Sequence, residues 1–348
     1  MKRMIYLAAI VLVAISAMAA PNRSEVNQLK QFLLLPSAHG MANYERLGLS
    51  LDAPASWHGV VWDNSGHVYS IDWRDKGLAG ALDLEDFAAL QQVDVSHNAI
   101  TSINLSGCKS LEKLRINHNA IASVNVDGCN SLTTINCSHN RLAELSLEQV
   151  PMLKVFNCSN NFFVTFNVSA APMLETLYIQ SCRIEHLDVD SCTNLQTLYC
   201  GYNRLTSLNL MGTVALKYLN VDNNRIMNLY VQDLTSLVSL VCSDNNMTGL
   251  SVVNCTALMD LVCSFNDLTT IELEGCDKLN YVDCSYNDLM RLDLSDLVML
   301  QKVICNNNQL YILDVSHCPN LTYVNCRNNL ITDLRTEGDY NLQMVAMQ

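Results

Sequence analysis

The chain has 348 residues, 49% of them apolar, with 34 acidic side chains against 21 Lys and Arg and a net charge of −13. An acidic excess of that size repels phosphate backbones, which speaks against a nucleic-acid partner, and helps keep a long apolar-rich chain in solution. No Cys-x-x-Cys, His-Glu-x-x-His, phosphate-binding glycine loop or nucleophile elbow occurs, so the common signatures of catalysis and metal binding are missing, and neither an enzyme nor a cofactor is expected.

The first residues read Met1-Lys2-Arg3, then an apolar run over residues 4–15, then Ser16-Ala17-Met18-Ala19-Ala20. A positive start, a short apolar run and an Ala-x-Ala site are the three parts of a secretory leader, with cleavage expected after Ala19. The run falls short of the roughly 20 apolar residues that span a bilayer. No later segment is longer, so the mature chain is expected to be secreted, periplasmic or at the cell surface, without membrane insertion.

Residues 20–67 lack any period and are expected to form an N-terminal cap. Leu29, Phe32 and Leu33 fall at helical spacing within residues 24–35, and Pro36 stops the helix. Trp57 and Trp62 read as cap packing. A turn at Asn64-Ser65-Gly66 leads into a strand with Ile71 and Trp73 inward, opening an irregular first coil over residues 68–89.

From residue 90 to residue 341 a 21-residue unit recurs twelve times without insertion or deletion, each copy starting on a leucine, from Leu90, Leu111 and Leu132 through to Leu321. A fixed period of this length marks a solenoid whose coils stack in one register and share a continuous core. Apolar positions 4 and 6 alternate with polar positions 3, 5 and 7, the period of a half-buried strand. Each coil should therefore add one short strand to a parallel sheet. Position 9 is Asn in eleven units, from Asn98 to Asn329, and Cys182 in the other. An amide both donates and accepts, which suits the backbone groups of a turn folded inside the stack, whereas a thiol covers only part of that role. Positions 11, 14 and 16 are apolar again, and the residues left over are too few for an ordinary helix, so the return should be extended or 3₁₀. Residues 342–348 begin a further, partial coil.

Fourteen of the fifteen cysteines fall in two columns. Position 6 holds Cys137, Cys158, Cys200, Cys242, Cys263, Cys284, Cys305 and Cys326, and position 19 holds Cys108, Cys129, Cys192, Cys255, Cys276 and Cys318. Other units carry Val95, Ile116, Val150 or Ala171 there, so cysteine is standing in for small aliphatics. Column neighbours would sit ~4.8 Å apart with parallel Cβ vectors, an orientation that strains a disulfide. Buried, reduced thiols are expected, which in an exported protein suggests a host living with little oxygen.

The unit Leu-x-x-Leu-x-Cys-x-x-Asn-x-Leu, as in residues 132–142, resembles the leucine-rich repeat signature with Cys, Val or Ile at the third apolar site. The match runs through all twelve units, and the short repeat and acidic, exported character are similar to bacterial internalin-like repeat proteins. The resemblance implies a curved solenoid with its strands on the concave face, acting as a non-enzymatic scaffold that binds a partner there. It names no partner.

Outward strand positions carry Tyr178, Tyr199 and Tyr218, with Tyr202 at the strand exit, and then Val241, Val262, Tyr281, Ile304 and Tyr323, with Phe265 and Tyr286 beside them. Aromatic and β-branched residues also suit strands for their own sake. A contiguous exposed apolar patch nevertheless marks a partner site more often than a bare monomer surface. Asp222, Asp244, Asp260 and Asp283 lie among these residues and favour a partner with a basic rim. A protein partner is expected for a monomeric scaffold; the alternative is a glycan, with tyrosines such as Tyr199 and Tyr218 stacking on sugar rings. A catalytic domain in the irregular N-terminus ranks far lower, because so short a segment can hardly enclose a site. His97, His118 and His139 share position 8 of consecutive units and would stack closely, but no acidic or cysteine ligand joins them, and a polar turn is the expected role. Arg141, Arg183, Arg204 and Arg225 form a stripe at position 10 interrupted by Phe162, read as a solvated flank.

Overall fold

The structure is a computed structural model that describes residues 19–339 and 341–346; the predicted leader, Ala19 apart, lies outside the described residues. Asn22 opens the N-terminal helix, Arg23–Leu33, its side-chain oxygen accepting from the backbone N–H groups of Ser24 and Glu25 at 2.9 and 3.3 Å. Such a cap satisfies donors that the first turn leaves without partners. Leu29, Phe32 and Leu33 face the core, as their spacing predicted. Glu25, buried on this helix, accepts from the Val68 N–H at 2.7 Å and holds His67 Nδ1 at 2.8 Å, tying the helix to the first strand pair. That bond to Glu25 raises the pKa of His67.

The strand Val60–Trp62 pairs antiparallel with Val68–Asp72 around the Asn64-Ser65-Gly66 turn, and Val68–Asp72 then pairs in parallel with Gln92–Asp94 of the first regular coil. The hairpin thereby covers one edge of the solenoid sheet, which would otherwise present unpaired backbone groups and apolar core. Trp73 is fully buried, lies against Phe32 with ring centroids 6.0 Å apart, and donates its indole N–H to the His58 carbonyl at 3.1 Å. Trp57 and Trp62 are buried beside each other in the same cap.

Among the described residues fifteen strands form one sheet, running from Val60–Trp62 through a three-residue strand in every coil to Met344–Ala346. Coil to coil the register is a constant 21 residues, as in Leu177 opposite Leu198 and Leu240 opposite Leu261. The chain returns through short strands at positions 13–15, such as Thr165–Asn167 and His186–Asp188, which pair in smaller parallel sheets. Of the two return conformations compatible with the sequence, the extended one is adopted. Inward side chains at positions 14 and 16 alternate with outward ones, a period that a 3₁₀ turn does not share. Among the described residues no helix is long and apolar enough to cross a membrane.

The Asn column works as its chemistry predicted. Asn245 donates to the carbonyls of Val221, Cys242 and Ser243 at 3.0–3.2 Å and accepts from the Ile226 N–H at 2.9 Å, so one side chain joins two coils. Cys182 reproduces only part of the donation, its single S–H shared between the carbonyls of Cys158 and Gln180 at 3.2 and 3.3 Å, and it accepts nothing in place of the amide oxygen among the described residues.

All fifteen thiols are buried and free. Those at position 19 do more than fill space: Cys108, Cys255 and Cys318 donate to the carbonyls of Leu84, Val231 and Leu294 in the preceding coil at 3.1–3.2 Å. Burial pushes these thiols up, Cys108 and Cys255 to about 12 and Cys318 to about 11, which suppresses the reactive thiolate at neutral pH. A thiol reagent should therefore find almost no reactive cysteine in the native protein and all fifteen after denaturation without reductant. A denatured count well below that number would reveal disulfides and overturn the reading.

Candidate binding face of the sheet

Positions 3 and 5 of each coil point away from the core, while position 4 between them is buried, as in Tyr281-Val282-Asp283 and Ser239-Leu240-Val241. Position 7 departs from the simple alternation. Its serines, Ser96, Ser138, Ser159, Ser243, Ser264 and Ser285, are buried, and Ser243 and Ser264 share a hydrogen bond of 2.9 Å. The cause is the next residue. Position 8 is left-handed in all twelve coils, with φ between 52° and 58°, so the chain turns over position 7 as it leaves the strand.

For an L-residue that conformation costs about 1–2 kcal/mol, least for Asn, Asp and His, which are enriched there. His97, His118, His139, Asn160, Asn223, Asp244, Asn307 and Asn328 obey this preference. Ser181, Tyr202, Phe265 and Tyr286 do not, and the three aromatics among them are exposed, at 58%, 49% and 46%. Phe265 and Tyr286 stack with centroids 4.3 Å apart and planes 10° from parallel. The column's composition carried this signal in the sequence; its conformational meaning needed the backbone.

The eleven predicted residues fall into two neighbouring groups on one face. Tyr178 meets the edge of Tyr199 at 5.3 Å, with Tyr202 on the same coil as Tyr199 and Tyr218 on the next. Farther along, Val241 pairs with Val262 in register, and Ile304 lies opposite Asp283. Tyr178, Tyr199, Val241, Val262, Tyr281, Ile304 and Tyr323 are half-buried against their neighbours, whereas Tyr202, Tyr218, Phe265 and Tyr286 stand out. Lys302, which pattern reading passed over, reaches both Tyr281 and Tyr323, its ammonium 5.4 and 5.5 Å from the two ring centroids.

Asp222, Asp244, Asp260 and Asp283 are set among these groups. None has a basic side chain within ion-pair distance among the described residues. Asp222 is half-buried and its pKa is raised, chiefly by burial. The face is thus aromatic and acidic together.

The other singled-out columns have local explanations. The imidazoles of His97, His118 and His139 stack at 4.3 and 4.1 Å. Burial first, then the adjacent imidazoles, lowers the pKa of His118, because a charge there would be poorly hydrated and repelled from both sides. Among the described residues no group of three or more His, Cys, Asp or Glu side chains is placed to hold a metal ion. Phe162, the interruption in the arginine stripe, lies under the Arg183 guanidinium at 4.8 Å, and Arg204 meets Glu185 at 3.5 Å. On the return side, a groove of about 680 Å³ is lined by Leu208, Leu210, Met211, Val214 and Tyr230, a feature the repeat pattern did not single out.

A leucine-rich repeat family model matches residues 172–226. No curated protein matches the chain. Among solved structures, the functional domain of InlJ from Listeria monocytogenes, described as including a cysteine ladder, is 26% identical; the match covers 75% of this chain and 68% of that one, with a TM-score of 0.54. The internalin inlF from Listeria monocytogenes is 22% identical over 76% of this chain and 85% of its own, with a TM-score of 0.63. The effector YopM from Yersinia pestis shares the fold over 93% of this chain and 98% of its own, at 17% identity and a TM-score of 0.63.

Proposed function

We propose that this internalin-like leucine-rich repeat protein is an exported, non-enzymatic scaffold, capped by residues 20–67, that binds a protein partner on the face of its long sheet. The observation that carries the reading is the pair Phe265 and Tyr286, exposed aromatics held at φ 54° in a column where Asn, Asp and His serve in eight of the twelve coils. A strained backbone geometry that the surrounding fold would accept with less costly residues points to a use outside the fold. The stack is rigid, so aromatic anchors are presented without first ordering a loop, which lowers the cost of association. Unpaired carboxylates around them favour a partner with a basic surface.

Ring geometry favours protein over glycan. A sugar stacks on an open aromatic face, yet Phe265 and Tyr286 cover each other and Lys302 lies over Tyr281 and Tyr323. Tyr178 and Tyr199 meet edge to face. A protein surface can use the exposed edges and the aliphatic floor of Val241, Val262 and Ile304.

Capture of cell-surface proteins and of an arrayed glycan pool by the mature chain tests the reading. Val241→Asp, Val262→Asp and Ile304→Asp combined should abolish capture of a protein partner, because three charges enter a surface that must be desolvated. Phe265→Asn with Tyr286→Asn should weaken capture while changing stability by less than about 1 kcal/mol, since relief of the left-handed strain offsets the lost stacking. Capture that survives both sets would place the site elsewhere. Loss on Tyr→Ala changes alone, with glycans as the captured class, would favour sugar recognition.

A further inference from the structure

Position 7 carries a polar or charged side chain in eleven coils and Gly201 in the other. Gly201 has an ordinary negative φ, so the glycine does not serve a left-handed turn. It serves space: a Cβ there would overlap Oδ1 of Asp222, which occupies the same position one coil on, and would come within 2.9 Å of Asn220 Oδ1. The Asp222 carboxylate leans into this notch. Its Oδ2 accepts from Asn223 Nδ2 at 3.1 Å, whereas Oδ1 is buried and has no hydrogen-bond partner among the described residues.

A carboxylate oxygen left unpaired out of water is unfavourable for the free protein and is relieved by a donor that enters from outside. Tyr199 ends the strand Thr197–Tyr199 two residues before Gly201 and pairs in register with Asn220; Tyr202 follows Gly201 directly, its N–H donating to the Asp222 carbonyl at 2.9 Å. Tyr218 opens the strand Tyr218–Asn220 that precedes Asp222 and is 42% exposed. Asp244, one coil on, adds a second negative charge that acts on Asp222. Across coils 3–10, positions 3, 5, 7 and 8 of the sheet face carry no Lys or Arg.

We propose that the notch formed by Gly201 and Asp222, with Tyr199, Tyr202 and Tyr218 around it, is the subsite for an arginine side chain of the protein partner. The guest must be a donor, cationic and compatible with aromatic rings. A guanidinium meets all three needs, offering paired N–H groups to a carboxylate and a flat face to tyrosine, as Arg183 already offers its face to Phe162 in this chain. In the free protein the carboxylate folds into the space above Gly201; with the guest in place it turns outward, and both oxygens are paired. This assignment rests on the sheet face being the binding face, and it names the chemistry recognised there.

The probe is acetyl-Gly-Arg-Gly-amide, titrated against the full mature chain with tyrosine rings isotopically labelled for NMR. Saturable binding with a dissociation constant on the order of 1 mM is expected, with shifts at Tyr199, Tyr202 and Tyr218. Replacing arginine by citrulline, which keeps the shape without the charge, or using Asp222→Asn, should weaken binding roughly tenfold or more. Asp260→Asn, which removes one charge from the same face without touching the notch, should weaken binding by a much smaller factor than Asp222→Asn does, because only longer-range attraction is lost. Equal binding of the citrulline peptide, equal loss on Asp260→Asn, or a lysine peptide that binds as tightly would each overturn the assignment. Failure of this subsite is distinguishable from failure of the face: capture of a partner that the triple Asp variant loses and Asp222→Asn retains in full would remove the notch and leave the face standing.

Discussion

Asn161→Leu should destabilise the solenoid by about 3–5 kcal/mol, one of the largest losses available to a single substitution. Asn161 is 2% exposed. Its Nδ2 donates to the carbonyls of Cys137, Cys158 and Ser159 at 2.9–3.3 Å, and its Oδ1 accepts from the Leu142 N–H at 2.9 Å. Leucine fits the volume but leaves these backbone groups buried without partners, which costs more than the hydrogen bonds themselves contribute. Because each coil contacts mainly its neighbours, the defect should loosen the third to fifth coils first, seen as faster amide exchange there before the rest of the chain opens. The reciprocal change is equally informative. Cys182→Asn restores the missing acceptor at the one coil without the amide and should stabilise by about 1 kcal/mol in urea denaturation. A neutral Asn161→Leu, or a destabilising Cys182→Asn, would contradict the column's role.

Trp73→Ala should cost about 3–5 kcal/mol and act at one end of the molecule. The side chain is fully buried, packs on Phe32 of the N-terminal helix and donates to the His58 carbonyl, so it joins the helix, the hairpin and the first strand of the stack. Truncation opens a cavity where the cap meets the coils. Fraying should then proceed from the N-terminal coils inward, since an uncovered solenoid edge exposes apolar core. Amide exchange accelerating first along Gln92–Asp94 and Lys113–Arg115 is the expected pattern. Uniform acceleration along the whole chain would argue against a separable cap.

These two substitutions differ in how far each site was legible beforehand. Asn161 belongs to a column visible at fixed spacing, and its role followed from the chemistry of an amide in a dry turn. Trp73 was legible only as an inward residue; its partners, Phe32 and His58, lie in a segment with no period to align them. The candidate face was legible in the same partial way. Tyr178, Tyr199, Val241 and Val262 could be assigned to outward columns because 21 residues separate neighbours in the stack. The burial of the position 7 serines could not, because it depends on the left-handed residue that follows and not on the alternation of the strand. Lys302 was missed for a related reason: a lysine in an aromatic column reads as a solvated charge until its ammonium is seen over two rings.

What the sequence determined by itself was translation. A period without insertions makes every residue a neighbour of the one 21 places on, and composition down each column then identifies core, amide column and open face, because burial acts on the average of a column. The tertiary structure alone decided the local departures: which way Asp222 leans, why Gly201 has no side chain, which rings cover one another and which remain open. Those are settled by torsion angles and by contacts across columns, where a few ångströms of side-chain reach select among several neighbours that the repeat treats alike.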